Sequence, residues 1–284
     1  MKQDERISFE DKLNQALIYL ALAEDKVQED VTTNGLLHVD KIVNARVTAK
    51  AAGIISGTEV FTRVLHTVDN ELCISILKAD GSWVNKGDMV IEISGKESSI
   101  LRGERTALNF LQRLSGIATL TGEYVEKLAG SGITLLDTRK TTPGMRYLEK
   151  KAVLDGGGTN HRMNLEEMAM IKDNHVKMAG GITAAVEAVR KNCPDKKIEV
   201  EVRNLAELEE ALTQNVEMIM LDNFDIPLMK DAIKINKGRA KLEVSGNVDL
   251  NNIENRAPKG IDYISVGALT HSFTSLDLSL NIDD

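Results

Sequence analysis

Several positively charged or chargeable side chains lie close together in a chain that is acidic overall. The whole chain has 35 Lys and Arg against 43 Asp and Glu, a formal net charge of −8, so the positive group is a local feature. An arginine can hold a carboxylate or a phosphate with two parallel hydrogen bonds. We therefore expect a site for a small ligand with several negative charges. The residues are Arg139, Lys140, His161, Arg162 and Lys172.

Two acidic residues, Glu201 and Asp222, end later apolar runs of the sequence. Neighbouring carboxylates can hold a hydrated Mg²⁺ ion, ribose hydroxyls or a developing positive charge. They can equally be buried salt-bridge partners of Lys172 or Arg139. His161, taken alone, suits a structural role as well as a functional one.

Glycine-containing turns follow the last two apolar runs, at Ser245, Gly246 and Asn247 and at Gly267. Backbone N–H groups left open at strand-to-helix turns suit a phosphate. The glycine triplet 156–158 either ends a helix or allows close backbone approach to another group. The sequence thus predicts an anion-binding side, an acidic middle and a phosphate cradle.

These residues follow strands in a regular alternation of strands and helices. Short continuous apolar runs separated by helical stretches are typical of a parallel sheet covered by helices. In such folds active sites form at the carboxyl ends of the strands. Six repeats suit a barrel-like or a doubly wound arrangement. The predicted strands are 133–136, 168–171, 198–202, 218–221, 242–244 and 263–266, and the predicted helices are 143–154, 182–191, 205–212, 226–235 and 250–255.

The first part of the chain predicts a small α+β unit. Ser8 can cap a helix, residues 29–35 predict a loop, and alternation at 43–49 predicts a half-buried strand. The alternating run 276–282 predicts a lone strand that can return to this sheet. Helix 58–68 and strands 72–77 and 89–93 complete the unit, and the apolar face of the first helix is predicted at Leu13, Ala16, Leu17, Leu20 and Ala21.

A strongly apolar face predicts a helix at 98–115, which we expect Gly116 to end before a second helix begins. Arg102, Arg105 and Arg113 interrupt that face. On pattern alone they belong to a solvated face with Glu104 as their partner.

Composition excludes some classes of function. The acidic balance argues against a general nucleic-acid surface, and no stretch reaches the length of a membrane span. Cys73 and Cys193 lack zinc-site spacing and predict reduced packing residues in a cytoplasmic protein. The stretch VNKGDMVIEISG has the turn of a lipoate or biotin carrier but lacks the modifiable lysine setting.

An ordered set of short motifs across residues 104–267 resembles the carboxylating nicotinate-nucleotide pyrophosphorylases, also called quinolinate phosphoribosyltransferases. Residues EDVTTNG and AKAAGIISG extend the similarity toward the N-terminus. Each motif alone is weak, but the ordered set is specific. The motifs are ERTALNFLQRLSGIAT, DTRKTTPGMR, GGGTNHR, IKDNH, VEV, LDN, VSGN and ISVG.

The resemblance implies a reaction of de novo NAD synthesis. Quinolinate and phosphoribosyl pyrophosphate would give nicotinate mononucleotide, CO₂ and pyrophosphate, with Mg²⁺ as cofactor. It also implies an α/β fold with an incomplete parallel α/β barrel of about six strands and an N-terminal α+β open sandwich domain. The expected segments are 1–115, 116–270 and a returning C-terminal strand at 271–284. A homodimer or a higher oligomer such as a hexamer is implied, with the sandwich of one subunit covering the barrel mouth of the other.

The resemblance also assigns roles to the matched residues. The two quinolinate carboxylates would be bound by Arg139, His161, Arg162 and Lys172, with Arg105 reaching in from the neighbouring subunit. Phosphoribosyl pyrophosphate and its metal would be held by Lys140, Glu201, Asp222, Ser245, Gly246, Asn247 and Gly267. Glu201 and Asp222 are the expected metal ligands, and they can also stabilise oxocarbenium character on the ribose.

Three positions depart from the family pattern. Leu154 stands where an arginine is usual, Lys151 where an aromatic residue is usual, and Asn164 where a glycine is usual. Three other functions compete with the quinolinate reaction: that of a related family associated with molybdenum transport, that of a nicotinate-specific transferase, and that of a non-catalytic binding protein. The intact Lys-Asp-Asn-His segment and the number of cations favour the quinolinate enzyme over them.

Overall fold

The computed structural model of the protein describes residues 8–36, 40–256 and 258–283. The chain divides into two compact units, and neither is continuous in sequence. Unit 1 comprises Met1–Gly122, Thr141–Gly157 and Ser272–Asp284, and unit 2 comprises Glu123–Lys140 and Gly158–His271. The sequence predicted contiguous segments instead, with residues 141–157 inside the barrel segment.

The strands alternate with helices along most of the chain. The strands are β1 (Ile42–Ala49), β2 (Gly53–Ile54), β3 (Cys73–Ile76), β4 (Trp83–Val84), β5 (Met89–Lys96), β6 (Thr134–Leu136), β7 (Ala169–Ile171), β8 (Ile198–Val202), β9 (Met218–Asp222), β10 (Lys241–Ser245), β11 (Tyr263–Ser265) and β12 (Leu278–Ile282). The α-helices are α1 (Phe9–Glu24), α2 (Val31–Leu36), α3 (Thr58–Val68), α4 (Glu97–Lys127), α5 (Arg146–Asp155), α6 (Asp173–Ala179), α7 (Ile182–Asn192), α8 (Leu205–Thr213), α9 (Ile226–Asn236), α10 (Ile253–Arg256) and α11 (Ala268–His271), and a 3₁₀ helix covers Val27–Glu29.

Unit 1 is built on an antiparallel sheet in the order β12-β1-β5-β3. Ala45, Val47 and Ala49 are buried on one face of β1, as strand alternation requires. Strand β12 pairs antiparallel with β1 from Ala45↔Ile282 to Ala49↔Leu278, so the C-terminal strand returns to this sheet.

Two predictions for the N-terminal helices are wrong. The oxygen of the Ser8 side chain accepts the N–H of Asp11, so the predicted cap is confirmed, but the residues of α1 that are buried are Asn14, Ile18 and Leu22. The predicted face lies one position away, because the packing partner of a helix decides which face is buried. The predicted loop contains helix α2, whose first turn is capped by Asp30 through the N–H groups of Thr32 and Thr33.

Gly116 does not end a helix, since α4 runs without a break from Glu97 to Lys127. A Cβ at Gly116 would come within 2.3 Å of the carbonyl oxygen of Thr274. The glycine therefore serves the close approach of the C-terminal segment to α4, and a helix tolerates one glycine at a modest cost. Arg113, on the same helix, pairs with the buried Glu149 at 2.7 Å rather than with Glu104.

Unit 2 contains a parallel sheet in the order β6-β11-β10-β9-β8-β7. Each strand from β7 onward pairs with the next in sequence, and the last, β11, pairs with the first, β6. The direction of winding never reverses, so the arrangement is barrel-like and not doubly wound. Within the described ranges no ladder joins β6 to β7, which makes the barrel incomplete.

The cysteine prediction needs correction. Cys73 and Cys193 are free, as expected, but both are exposed and so are not packing residues. Over residues 8–36, 40–256 and 258–283, the helices are all too short or too polar to span a bilayer.

Candidate active site

The predicted strand-end residues of unit 2 surround one cavity of about 570 Å³. Side chains two positions apart on a strand point the same way, and strands β7, β9 and β10 each place a strand-end residue and a deeper residue at the cavity. The predicted residues that line the cavity are Arg139, Lys140, His161, Arg162, Lys172, Glu201, Asp222, Ser245, Gly246 and Asn247. This brings the anion-binding residues, the two acids and the phosphate cradle to the same edge of the sheet.

Two predicted residues are not among those that line the cavity. Gly267 lies behind Lys140, because a Cβ on the glycine would approach Cδ of Lys140 to 2.9 Å. Arg105 belongs to unit 1, where it is exposed on α4 beside Glu24 and Phe110.

One acid and one cation at the strand ends are in direct contact. Nζ of Lys172 lies 2.7 Å from Oε2 of Glu201. Glu201 therefore does have the salt-bridge partner that sequence reasoning left open. The side chain of Lys172 is 44% exposed, so a ligand in the cavity can compete for its ammonium group. On the next strand, Asp222 accepts a hydrogen bond from Nδ2 of Asn223 at 3.1 Å.

The two arginines of the cavity lie close enough to repel each other. Burial and the charge of Arg139 lower the pKa of Arg162, and the negative charge of Glu199 opposes that shift. Nη1 of Arg162 donates to the carbonyl oxygen of Met168 at 2.9 Å, which fixes one edge of its guanidinium. An anion between the two arginines would relieve their repulsion.

Beneath the strand-end residues lies a group that sequence reasoning missed, the buried acid cluster of His161, Glu199 and Glu243. Nε2 of His161 is 3.0 Å from Oε2 of Glu199 and 3.3 Å from Oε2 of Glu243, and both glutamates are fully buried. The signal was present in the runs IEVEV and LEVS. A glutamate two positions before a strand-end residue must point to the same face.

Burial and mutual contacts shift the pKa values of His161 and Glu199 in the buried acid cluster. Burial would lower the pKa of His161, but contacts with Glu199 and Glu243 outweigh burial and raise that pKa to about 9. Burial raises the pKa of Glu199 to about 7. Since Nδ1 of His161 accepts the backbone N–H of Arg162 at 2.7 Å, the ring proton lies on Nε2.

The turn after β10 has the backbone expected of an anion cradle. Gly246 and Asn247 adopt positive φ angles of 95° and 53°, as does Asn223 at 55°. Nδ2 of Asn247 donates to Oδ1 of Asn223 at 3.1 Å, which joins this turn to the one after β9. These two turns therefore meet at the rim of the cavity, where the sequence predicts a phosphate site.

The glycine triplet has a structural explanation. Helix α5 ends at Asp155, and a Cβ at Gly156 would lie 2.4 Å from the carbonyl oxygen of Ala118 on α4. The close approach inferred for the triplet is therefore to another helix of unit 1.

Comparison with known proteins identifies the family. Residues 30–115 match the family described as quinolinate phosphoribosyl transferase, N-terminal domain, and residues 117–281 match its C-terminal domain. The chain belongs to the quinolinate phosphoribosyltransferase family.

Relatives of this family are similar over nearly the whole chain. A chloroplastic nicotinate-nucleotide pyrophosphorylase (carboxylating) from Arabidopsis thaliana is 42% identical over 288 residues, covering 94% of this chain and 82% of its own. A probable carboxylating pyrophosphorylase from Synechocystis sp. is also 42% identical, covering 92% and 90%. The crystal structure of NadC from Streptococcus pyogenes is 43% identical with a TM-score of 0.90, covering 95% and 96%.

Two of the three departures from the family pattern, Lys151 and Asn164, have local explanations in the structure. Lys151 bonds Asp80 and Asp155 within unit 1, each at 2.9 Å. Leu154 is 49% exposed. Oδ1 of Asn164 accepts the N–H groups of Glu166 and Glu167 and so forms a turn. None of the three is among the cavity-lining residues.

Two donor sets in unit 2 could hold a cation. The buried acid cluster has its ligand atoms within 4.8 Å of one another, but it is closed to water and includes a nitrogen. Glu201 and Asp222 offer carboxylate oxygens at the open strand ends. Mg²⁺ prefers oxygen ligands and keeps several of its waters, so the strand-end acids fit it better.

The turn at Gly246 predicts a difference between two glycine substitutions. In Gly246→Ala the new Cβ would lie 2.2 Å from Oδ1 of Asn223, and Asn223 must turn away from Asn247. Gly238 also has a positive φ, but no atom would meet its Cβ. We expect the free energy of unfolding to fall by about 1 kcal/mol more in G246A than in G238A. This difference is the usual contribution of one hydrogen bond, here the bond from Asn247 to Asn223. Urea denaturation measures both, and equal losses would contradict the close approach.

Proposed function

We propose that this enzyme transfers the phosphoribosyl group of phosphoribosyl pyrophosphate to quinolinate and releases CO₂, forming nicotinate mononucleotide in NAD synthesis. The observation that carries the proposal is the grouping of cationic side chains and two strand-end acids around one cavity. A substrate with two carboxylates and a phosphorylated sugar needs both kinds of group. Family membership supports the same reaction.

The first chemical step forms the bond between the pyridine nitrogen and C1 of the ribose as the C1–pyrophosphate bond breaks. Arg139, Arg162 and Lys172, with His161 beside them, hold the dicarboxylate so that its nitrogen faces C1, a gain from orientation. Glu201 and Asp222 stabilise the positive charge that develops on the ribose. The turn 245–247 and Lys140 bind the phosphate groups, and Gly267 leaves room for the side chain of Lys140.

Mg²⁺ is the proposed cofactor, held by Glu201 and Asp222. When bound, it would neutralise charge on the pyrophosphate group.

In the second step the 2-carboxylate leaves as CO₂. The C2–carboxylate bond breaks and its electron pair stays on C2, where the adjacent positively charged ring nitrogen stabilises it. A proton then bonds to this pair and takes the place of the carboxylate. Lys140 is the proposed donor of that proton. Its side chain lies next to Gly267 at the cavity.

A direct assay tests the reaction. Purified enzyme with quinolinate, phosphoribosyl pyrophosphate and Mg²⁺ should release CO₂ and form nicotinate mononucleotide in equal amounts, and a chelator should abolish both. Nicotinate should not replace quinolinate, because it has one carboxylate for a pocket built for two. Product from nicotinate but none from quinolinate would refute the substrate.

Substitution of Lys140 separates the two steps. In Lys140→Ala, CO₂ release should slow by about 10²- to 10⁴-fold, the usual contribution of a positioned proton donor, and pyrophosphate should appear before CO₂. Rapid-quench single-turnover experiments that follow both products measure this. CO₂ release at the wild-type rate after ribosyl transfer would exclude Lys140 as the donor.

We also propose that the enzyme works as a homodimer, or an assembly of dimers, in which Arg105 completes the site of the neighbouring subunit. Arg105 is exposed on α4, which leaves its guanidinium available to another chain. The predicted cytoplasmic location stays a prediction, since one similar plant protein is named as chloroplastic.

Mixed dimers test the shared site. Arg105→Ala and Lys172→Ala enzymes should each be nearly inactive. Equal amounts refolded or co-expressed together should recover about a quarter of wild-type activity, because half of the dimers then carry one intact site of two. Recovery of no activity in confirmed mixed dimers would mean that Arg105 serves the site of its own subunit, and would refute the shared site.

A further inference from the structure

The turn 245–247 is held by two side chains from the segment that follows it. Nη2 of Arg256, at the end of α10, donates a hydrogen bond to the carbonyl oxygen of Gly246 at 2.7 Å. Nδ2 of Asn252 donates to the carbonyl oxygen of Asn247 at 2.9 Å. Gly246 and Asn247 are among the residues that line the cavity, whereas Arg256 and Asn252 are not. The two side chains therefore contact the turn from outside the cavity.

These contacts fix the direction of the next N–H group in each case. In a trans peptide unit the C=O and N–H bonds point in opposite directions, and the described residues contain no cis peptide bond. Because Arg256 binds the carbonyl oxygen of Gly246, the N–H of Asn247 is directed to the opposite side of the turn. Asn252 directs the N–H of Val248 in the same way. Both N–H groups therefore point away from the two side chains.

The hydrogen bonds of the turn are divided unevenly between its carbonyl and N–H groups. The carbonyl oxygen of Ser245 accepts the N–H of Asn223 at 3.1 Å, so all three carbonyl oxygens of the turn are bound. Across residues 8–36, 40–256 and 258–283, the N–H groups of Gly246, Asn247 and Val248 donate to no protein group. A backbone N–H without a protein partner pairs with water or with a ligand. Three consecutive donors of this kind suit an anion.

We propose that Arg256 is a positioning residue for the turn 245–247, and that it directs the N–H of Asn247 toward a phosphate group of the phosphoribosyl substrate. Arg256 acts through the carbonyl oxygen of Gly246 and does not contact the ligand. Asn252 does the same for the next peptide unit, and its amide oxygen accepts the N–H of Asp249 at 3.0 Å, which orients its side chain. This inference rests on the proposed function, because the phosphate group belongs to the proposed substrate.

Substitution of Arg256 tests the proposal through two dissociation constants. Arg256→Met removes the hydrogen-bond donor and keeps an unbranched side chain. Calorimetry should show phosphoribosyl pyrophosphate, with Mg²⁺, binding about tenfold more weakly, the usual contribution of one hydrogen bond to a charged group. The dissociation constant for quinolinate should change less than about twofold, because its proposed pocket is distant in contacts from this turn. Wild-type affinity for phosphoribosyl pyrophosphate in R256M would overturn the proposal.

An arginine on another helix of unit 2 provides a matched control. Arg239 also binds backbone carbonyl oxygens, those of Ile235 and Asn236 at the end of α9, and it is not among the residues that line the cavity. Arg239→Met therefore removes a similar set of hydrogen bonds and the same charge. It should change neither dissociation constant. An equal loss of phosphoribosyl pyrophosphate affinity in R239M and R256M would mean that the loss is not specific to the turn, and would refute the positioning role.

Salt dependence separates positioning from attraction by charge. Salt screens the attraction between a phosphate and a cation that does not contact it. A hydrogen bond that holds the backbone keeps its effect. The tenfold difference between the wild-type enzyme and R256M should therefore be the same at low salt and at about 0.5 M salt. A difference that disappears at high salt would show that Arg256 acts by its charge, against the proposal.

Nuclear magnetic resonance reports on the N–H group itself. In the wild-type enzyme the amide proton of Asn247 should shift downfield when phosphoribosyl pyrophosphate saturates the site, since it then donates to a charged oxygen. The shift should be smaller in saturated R256M, and a full shift there would contradict the proposal. Failure of the wild-type enzyme to bind phosphoribosyl pyrophosphate would instead refute the proposed function, so the two failures are distinguishable.

Discussion

Balance of buried charge is the constraint on which this site depends. The cavity of unit 2 brings together cations that repel one another, and burial together with the charge of Arg139 lowers the pKa of Arg162. Carboxylates within the barrel offset the repulsion: Glu199 acts on Arg162, and Glu201 contacts Lys172. A ligand with two carboxylates would neutralise the remaining positive charge of the cavity. The repulsion between cations that destabilises the free protein would therefore favour the binding of a dianion.

The contact between Lys172 and Glu201 connects the two halves of the proposed reaction. At 2.7 Å it pairs a residue of the dicarboxylate pocket with a residue assigned to the sugar. In the proposed complex a substrate carboxylate takes over Lys172, and Glu201 becomes available to the ribose and its metal. Binding of one substrate would then prepare the site for the other, without any change in the barrel itself.

The positions of the strand-end residues could be predicted from two general features of parallel sheets. Continuous apolar runs such as IEVEV identify buried strands, and parallel strands place their carboxyl ends at one edge. The amino-acid sequence alone therefore places Glu201 and Asp222 together. Glu199 and Glu243 were not found, because their contact with His161 depends on side-chain direction within the barrel and on three segments distant in sequence. The alternation of side-chain direction within each strand is the feature of the sequence that indicates them, because it puts Glu199 on the same face as Glu201.

Other differences come from tertiary contacts that no local pattern contains. A glycine such as Gly116 is typical of a helix end, yet α4 continues through it. The glycine is needed because the carbonyl oxygen of Thr274 lies where a Cβ would be. The buried face of α1 was displaced for the same reason. Arg113 forms a salt bridge with Glu149, which is distant in sequence, and not with Glu104 on its own helix. In each case the local preference was weak, and packing against a distant segment decided the outcome.

The central claim is that this cavity is built to bind two carboxylates at once. Calorimetric titration of the wild-type enzyme with quinolinate and with nicotinate, at the same pH and ionic strength, tests it most directly. A second charge-assisted contact is worth enough to give quinolinate an advantage of about tenfold or more. Equal affinities, or tighter binding of nicotinate, would contradict the account.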